Sequence, residues 1–557
     1  MNQEVEKQVY RLGDSLMTAG LVTEEKMSIA LQKQQVTGER LGEILVRLGI
    51  VSEFDLARML AYQKGVEFFE IEENTLPKKQ ALSLFNQQFC LHRSFLPLEQ
   101  HGDVIKVVIG NSDIEATIQE VARHTGMNCE VLQGEFSKVQ QAIRHHYFFF
   151  DNPVDELFSK EVRKLSKDKD QVLSPDNLIN YLLHLAVKQR ATDIHIQPEQ
   201  KSIHIAFRVD GVLRPIIALP TELKRLIVAV KMNANMDISD VFRPQDGSFS
   251  TSILDTAFDV RVSTIVTEYG ENLVMRLLPN GMHVKGLSQL GFFEEDLAVV
   301  NRLFSNPHGI LLMTGPTGSG KSTTLHAGLR CEGMEGKNIL TVEDPIEYKL
   351  PIINQTQVNR KAGYEFDSAI RHFLRHDPDV MLVGEIRDSE TANAAITAAE
   401  TGHLVLSTLH VNNVLGVVSR LQALKIPSQM VADTLVGVIN QRLARKICNH
   451  CKESYSPDSA EQKYFNAPVT SLQRGAGCAH CMGSGYLGRL PIYEILSMTP
   501  VLAEMIASGA SRHQLLAQLK EQGFATIESM ALQRVKEGVT TLAEIKRLLG
   551  SNLKEAE

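Results

Sequence analysis

The run Gly315-Pro316-Thr317-Gly318-Ser319-Gly320-Lys321-Ser322-Thr323 constrains this chain more than any other stretch, because it matches GxxxxGK[ST] in full. Gly309 to Thr314 before it is an apolar run that reads as a buried strand, and Thr323 to Ala327 after it reads as a helix start. A strand that passes through a glycine-rich loop into a helix turns its backbone N–H groups onto an anion. In that setting Lys321 supplies positive charge for the β- and γ-phosphates, and Ser322 offers a hydroxyl to Mg²⁺. The competing reading, a glycine-rich turn that binds nothing, leaves the flanking strand and helix unexplained.

A chain of 557 residues exceeds one core and predicts about three or four domains. Its 43% hydrophobic and 22% charged content are ordinary for a soluble globular protein. No apolar run approaches the ~18 residues that span a bilayer, and Met1 to Lys7 is polar with no signal-peptide core. A cytoplasmic protein with no direct membrane span is expected, and any membrane role must pass through partners. The net charge of -8 argues against a general nucleic-acid binder.

The N-terminus repeats itself. Arg11-Leu12-Gly13 recurs as Arg40-Leu41-Gly42, and the same register pairs Leu16 with Leu45, Gly20 with Gly49, Leu31 with Leu60 and Gln34 with Gln63. Each copy reads as a short helix, a glycine stop and a second helix, with Gly20 and Gly49 as C-terminal caps and Thr23 and Ser52 as N-caps. A helical repeat packed only on itself accounts for the leucines. It accounts less well for arginine and glutamine at matched places. Guanidinium forks pair with phosphate and stack on bases, so two matched copies suit a ligand with two similar halves. Residues 11–34 and 40–63 resemble the paired motifs of the cyclic di-GMP-binding domain found on some pilus and secretion ATPases. The resemblance implies ligand contacts from Arg11, Leu12, Gly13, Gln34, Arg40, Leu41, Gly42 and Gln63, with Asn111 or Asp113 as a further polar contact.

Residues 66–150 read as a small α/β subdomain, and Tyr147-Phe148-Phe149-Phe150 is expected to close its core rather than form a docking patch. Residues 151–175, rich in Lys, Asp and Glu, read as a linker. From 176 to 285 short strands alternate with turns, among them Asp210-Gly211 and Arg243-Pro244-Gln245-Asp246-Gly247. Arg208, Arg261 and Arg276 lie in strand-like runs, where they either face solvent or neutralise nucleotide phosphate.

Beyond the phosphate loop, Ile339 to Val342 reads as a strand ending at Glu343-Asp344-Pro345-Ile346-Glu347-Tyr348. Val380 to Val383 ends at Gly384-Glu385-Ile386-Arg387-Asp388, and His403 to Thr408 ends at Leu409-His410. Open α/β sheets bind ligands at the carboxyl ends of their strands. Of the two acids, Glu385 takes the metal side and Glu343 positions the attacking water, although the sequence leaves the roles exchangeable. His403 and His410 are candidate phosphate sensors.

These blocks resemble the secretion-type ATPases of type IV pilus assembly and type II secretion, and with the N-terminal repeats they come nearest the mannose-sensitive pilus ATPases. The implied fold class is α/β. A RecA-like P-loop core (286–440) follows a PAS-like α/β domain (176–285), with a helical ligand-binding subdomain at 1–65 and a C-terminal helical subdomain at 496–557. The resemblance implies ATP and Mg²⁺ as cofactors and a homohexamer in which arginines of the preceding domain close over the nucleotide. Its implied partners are an inner-membrane platform protein and accessory pilus or secretion proteins. Ala206, Val266 and Val241-Phe242 stand where the family usually has other residues. The alternative, a RecA-like nucleic-acid translocase, needs a basic, aromatic-rich groove that the sequence does not offer.

The seven cysteines divide into isolated Cys90, Cys129 and Cys331 and two CxxC pairs, Cys448/Cys451 and Cys478/Cys481, in a module expected over 441–495. Four thiolates at knuckle spacing predict a closed, structural Zn²⁺ site.

Overall fold

The N-terminal repeat folds as two helix pairs, Leu12–Thr18 with Glu24–Thr37 and Leu41–Arg47 with Glu53–Lys64. The caps follow the expected residues. Thr23 Oγ1 accepts from the N–H of Lys26, Ser52 Oγ accepts from that of Asp55, and Gly20 and Gly49 take φ of 70° and 69°. Leu16, Met27, Ile44 and Leu45 form the shared core. A computed structural model describes residues 11–71, 75–168, 173–279, 286–331, 334, 336–350, 353–550 and 553. Met1 to Lys7 and residues 169–172 of the expected linker lie outside them. The chain divides into two compact units, Met1–Asn280 and Gly281–Glu557.

Within the first unit, the strands Phe95–His101, Val104–Ile109 and Asn128–Gln133 form a three-stranded sheet covered by the helix Phe136–Asp151. That helix serves two cores. Tyr147 is buried among Phe95, Ile105 and Val139 of the small subdomain, while Phe148 and Phe149 pack on the core of the next one. The aromatic run thus closes two cores rather than one. Residues 151–175 depart from a linker, since Val154–Ser166 is a helix that buries Val154, Phe158 and Leu165. Lysine and glutamate on its outer face masked an apolar stripe at helical spacing.

The next sheet is six-stranded and antiparallel. Asp210-Gly211 makes the expected hairpin turn, both residues having positive φ. Arg243 to Gly247 does not remain a turn, because Gln245–Ile253 is a strand. Gly247 is there for closeness. A Cβ on it would stand 2.4 Å from the carbonyl oxygen of Ala234.

The second unit is built on a seven-stranded sheet. Its order runs Asn354–Gln357, Ile339–Glu343, Val380–Val383, Leu404–Leu409, Gly309–Thr314, Leu435–Ile447 and Tyr486–Ser497. The first six are parallel and the last pairs antiparallel with Leu435–Ile447. The central strands are buried along their whole length, as parallel strands covered by helices on both faces must be. The last two strands belong to this sheet, so the cysteine module is the excursion between them, narrower than the expected 441–495. Four C-terminal helices from Pro500–Ala507 to Leu542–Leu549 follow, with Gly538 at φ 68° and Thr541 capping the restart, as the sequence predicts. Among the described residues no helix is long and apolar enough to cross a membrane.

Phe158 tests the helix that replaced the linker. Its side chain is 3% exposed, so Phe158→Ala should destabilise the first unit by about 3–5 kcal/mol, read as a loss in the chemical denaturation midpoint. A midpoint shift near zero would mean that the segment is not packed.

Candidate functional site

The strand Gly309–Thr314 delivers the glycine loop to the carboxyl end of the sheet, and the helix Lys321–Gly328 leaves from it. The loop depends on glycine where the chain crowds Gln441. A Cβ on Gly315 would lie 2.3 Å from the Gln441 carbonyl oxygen, and one on Gly320 would lie 2.8 Å from its amide nitrogen. Gly318, at φ 76°, faces open space. Gln441 itself braces the loop, donating from Nε2 to the Ser319 carbonyl at 2.8 Å and accepting from Thr324 Oγ1 at 3.0 Å. It lies over a hundred residues away in sequence, and sequence reasoning missed it.

Lys321 Nζ donates to the carbonyl oxygens of Gly315 and Pro316, at 2.9 and 3.1 Å. Burial holds its ammonium below the usual lysine range, opposed by the charges of Glu385 and Glu347. The Ser319 hydroxyl is buried and finds no hydrogen-bond partner among the described residues. A buried donor of that kind and an open glycine fit a phosphate group over the loop. Pro316 and Thr317 are exposed at its rim, and Ser322 and Thr323 open the helix.

Glu385 follows the strand Val380–Val383, with Arg387 at 2.5 Å and His410 Nε2 at 3.5 Å. Glu343 ends its own strand but is enclosed. Its carboxylate accepts from Thr341 Oγ1 at 2.8 Å and Gln355 Nε2 at 3.0 Å, and pairs with His326 Nε2 at 3.0 Å. His326 Nδ1 in turn meets the Ser322 carbonyl oxygen at 2.7 Å. The pair therefore ties the phosphate-loop helix to the acidic strand. Glu347, four residues on, is exposed and acts on the charge of Lys321. It is the acid of this segment that sequence reasoning passed over.

The two histidines part company. His410 follows the carboxyl end of Leu404–Leu409, beside Glu385. His403 precedes the same strand, where Leu404 is paired with Gly309 at the amino end of the sheet. Six residues of strand, about 17–20 Å, separate it from the phosphate loop. It meets the Ala398 carbonyl at 3.0 Å and Thr401 at 3.1 Å. His403 is therefore corrected from phosphate sensor to a structural residue of the helix–strand turn.

A buried polar line supports the His410 loop. Thr314 Oγ1 donates to Asn440, whose amide donates to Glu494 at 3.1 Å, and Glu494 accepts from the N–H of Val414 at 2.8 Å. Burial raises the Glu494 carboxyl above the usual range, against these hydrogen bonds.

In the first unit the three expected arginines share one row of the antiparallel sheet. Asp193 lies opposite both Arg208 and Arg276, and Arg276 opposite Arg261. Directly opposed residues share a face. Buried Asp193 accepts from Arg276 Nε at 2.9 Å and draws Arg208 Nε to 3.7 Å. Asp193 was not singled out from sequence. In the repeat, the glycines serve packing. A Cβ on Gly13 would meet Met27 Sδ at 3.3 Å and Leu41 at 3.7 Å, and one on Gly42 would meet Leu56 at 3.1 Å and Leu12 at 3.7 Å. This reciprocal contact seats Leu12 and Leu41 side by side, with Arg11 and Arg40 at the helix starts. Gln34 donates to the Glu39 carbonyl at 3.0 Å, and Gln63 lies in the last turn of Glu53–Lys64. Of the eight, Arg40 lines a cavity of about 650 Å³ that also includes Asn111 and Asp113.

The four thiols Cys448, Cys451, Cys478 and Cys481 converge. Sγ–Sγ separations of 3.8 Å join Cys448 to Cys478, Cys451 to Cys481 and Cys478 to Cys481. Tetrahedral Zn–S bonds of about 2.3 Å place sulfurs about 3.8 Å apart. Backbone N–H groups of Cys478 and Gly485 point at Cys481 Sγ, as suits a thiolate. His450 and His480 stack on each other at 3.6 Å and are not needed as ligands.

The His326–Glu343 pair has a pH signature. Burial opposes both charges, yet their mutual hydrogen bond and charge raise His326 above 6.5 and, with Thr341 and Gln355, lower Glu343 below 4.5. The glutamate contribution is present above pH 4.5 and lost as pH falls through its lowered value. The histidine contribution is present below pH 6.5 and lost as pH rises through its raised value. The Tm difference between wild type and His326→Gln should therefore peak between these pH values and shrink on either side. A difference independent of pH would refute the ion pair.

Comparison with known proteins bears on these sites. Residues 167–547 match the family model "Type II/IV secretion system protein", and residues 65–149 match the "MshEN domain". The chain is 40% identical to the type II secretion system ATPase E of Vibrio cholerae over 453 residues, 78% of this chain and 90% of the relative. It is 32% identical to the type IV pilus assembly ATPase PilB of Myxococcus xanthus over 556 residues, 96% of this chain and 98% of the relative. The X-ray structure of the Legionella pneumophila ATPase DotB shares the fold, with a TM-score of 0.51 at 22% identity over 69% of this chain and 98% of that one. Since the secretion-system model accounts for most of the chain and covers the phosphate loop, the acidic strand ends and the four cysteines alike, the chain belongs to the type II/IV secretion system protein family.

Proposed function

We propose that this chain is a Mg²⁺-dependent ATP hydrolase that drives assembly of a type IV pilus or type II secretion pseudopilus, acting as a homohexamer at the cytoplasmic side of an inner-membrane platform protein. The observation that carries the reading is the glycine loop folded at the carboxyl end of a parallel sheet, with Lys321, Glu385 and Glu347 facing one region. Relatives named as secretion and pilus assembly ATPases support it.

Placement supports each role. The loop N–H groups and Lys321 hold the phosphates of ATP. On binding, Lys321 exchanges the carbonyls of Gly315 and Pro316 for phosphate oxygens. Ser322 and Glu385 are the residues that would hold Mg²⁺, which supplies charge neutralisation at the terminal phosphates. His410, beside Glu385, senses the state of that end. Glu347 orients water, and Glu343, held by three partners, positions the strand through His326. The row Arg208–Arg276–Arg261 neutralises phosphate, with Asp193 holding two of its guanidiniums in place. The four cysteines hold a structural Zn²⁺.

The N-terminal region reads as a cyclic di-GMP sensor. Support comes from the MshEN match, the two reciprocal helix pairs and the polar cavity at Arg40. The match covers residues 65–149, so the tandem motifs at 11–63 enter the reading on their own residues.

Lys321→Ala and Glu385→Gln should each cut ATP turnover by about a hundredfold or more with unchanged circular dichroism. Full turnover in the lysine variant would overturn the assignment. Calorimetry on the full chain should show cyclic di-GMP binding that Arg40→Ala weakens at least about tenfold and Arg11→Ala weakens as well. Equal affinity in both variants would remove the motifs from the site.

A further inference from the structure

One of the residues that line the cavity beside Arg40 also stands next to the following domain. Arg144 lines it, together with Arg93, Asn111, Asp113 and Ser137. Most of these groups are already engaged. Arg93 is paired with Glu120, the Asn111 amide donates to the Arg93 carbonyl, and Ser137 donates to Glu53. Arg144 is held loosely. Its Nε stands 3.6 Å from a carboxylate oxygen of Asp255, whose side chain is 83% exposed. Asp255 is the second residue of a tight hairpin turn with Leu254, both at positive φ, between Gln245–Ile253 and Thr256–Thr267. The second strand of that hairpin carries Arg261 of the arginine row.

One helix fixes this geometry. Phe136–Asp151 contributes Phe136, Ser137, Gln140 and Arg144 to the cavity and then drives Phe148 and Phe149 into the neighbouring core. Phe148 also stacks on His184 at 4.8 Å. Arg144 thus lines the cavity while its Nε faces the hairpin tip.

We propose that Arg144 is a shared arm. With the cavity empty it pairs with Asp255, and with a cyclic dinucleotide bound it turns its guanidinium onto a ligand phosphate and releases the hairpin tip. The inference rests on the cyclic di-GMP reading above and deepens it to a residue and a route. An exposed, single-point ion pair is weak, whereas a guanidinium on phosphate makes two parallel charge-assisted hydrogen bonds. The exchange therefore runs in favour of the ligand. Linkage then requires the converse, that Asp255 restrains ligand binding.

The experiment is a double-mutant cycle on the full chain, with cyclic di-GMP as the calorimetric probe. Asp255→Ala should tighten binding about two- to fivefold, and Arg144→Ala should weaken it about tenfold. In the Arg144→Ala background the Asp255 substitution should change nothing. Hydrogen exchange across residues 253–257 should quicken on ligand addition in wild type and not in Arg144→Ala. If wild type binds and Asp255→Ala leaves affinity unchanged, or if Asp255→Ala acts equally in both backgrounds, the shared arm is refuted while the sensor stands. If wild type does not bind cyclic di-GMP, the sensor reading fails and takes this inference with it.

Discussion

Parallel pairing of Gly309–Thr314 with Leu404–Leu409 on one side and Leu435–Ile447 on the other decides where charge can gather in the second unit. All three strands run the same way, so whatever follows them emerges at one end of the sheet. That end receives the glycine loop, His410 and, one strand further, Glu385. Buried apolar strands give these groups a rigid base and low-dielectric surroundings. The same ladder sends His403 to the opposite end, although only six residues separate it from His410 along the chain.

What could be seen beforehand follows from how chemistry is written along a chain. The phosphate loop, the acidic strand ends and the four cysteines are compressed into short strings, each with its own spacing, and they stand where strand and helix periods put them. Gln441 could not be read in that way. It is a polar residue inside a long strand pattern, and its importance lies in a carbonyl and an amide that meet the loop from a distant part of the chain. His326 falls one helical turn after Ser322, but nothing in the sequence shows that Glu343 faces it. His403 was legible in principle, since a residue that precedes a parallel strand must lie at its amino end.

Glycine in the N-terminal repeat carries a related lesson. Matched Gly13 and Gly42 lie in the motifs that resemble a ligand site, yet each is crowded by a side chain of its own helix pair, Met27 or Leu56, and touched by a leucine of the other pair. The repeat is first a packing device, in which small residues admit Leu12 and Leu41 and so bring two helix starts together. Charge-rich residues 154–166 misled in the opposite direction, since polar density on one face concealed a helix that packs into the core of the following six-stranded sheet.

The strand Leu435–Ile447 joins features that lie far apart along the chain. Asn440 and Gln441 lie under the phosphate loop, and Cys448 follows directly after its last residue. The returning strand Tyr486–Ser497 begins soon after Cys481 and carries Glu494, which holds the His410 loop. The thiol cluster is thus a clasp at the open end of a long hairpin whose middle floors the phosphate loop. Whatever parts those sulfurs would loosen that floor from a distance. A disturbance at the sulfurs would thereby reach the phosphate loop along one strand, without any of the four cysteines touching that loop.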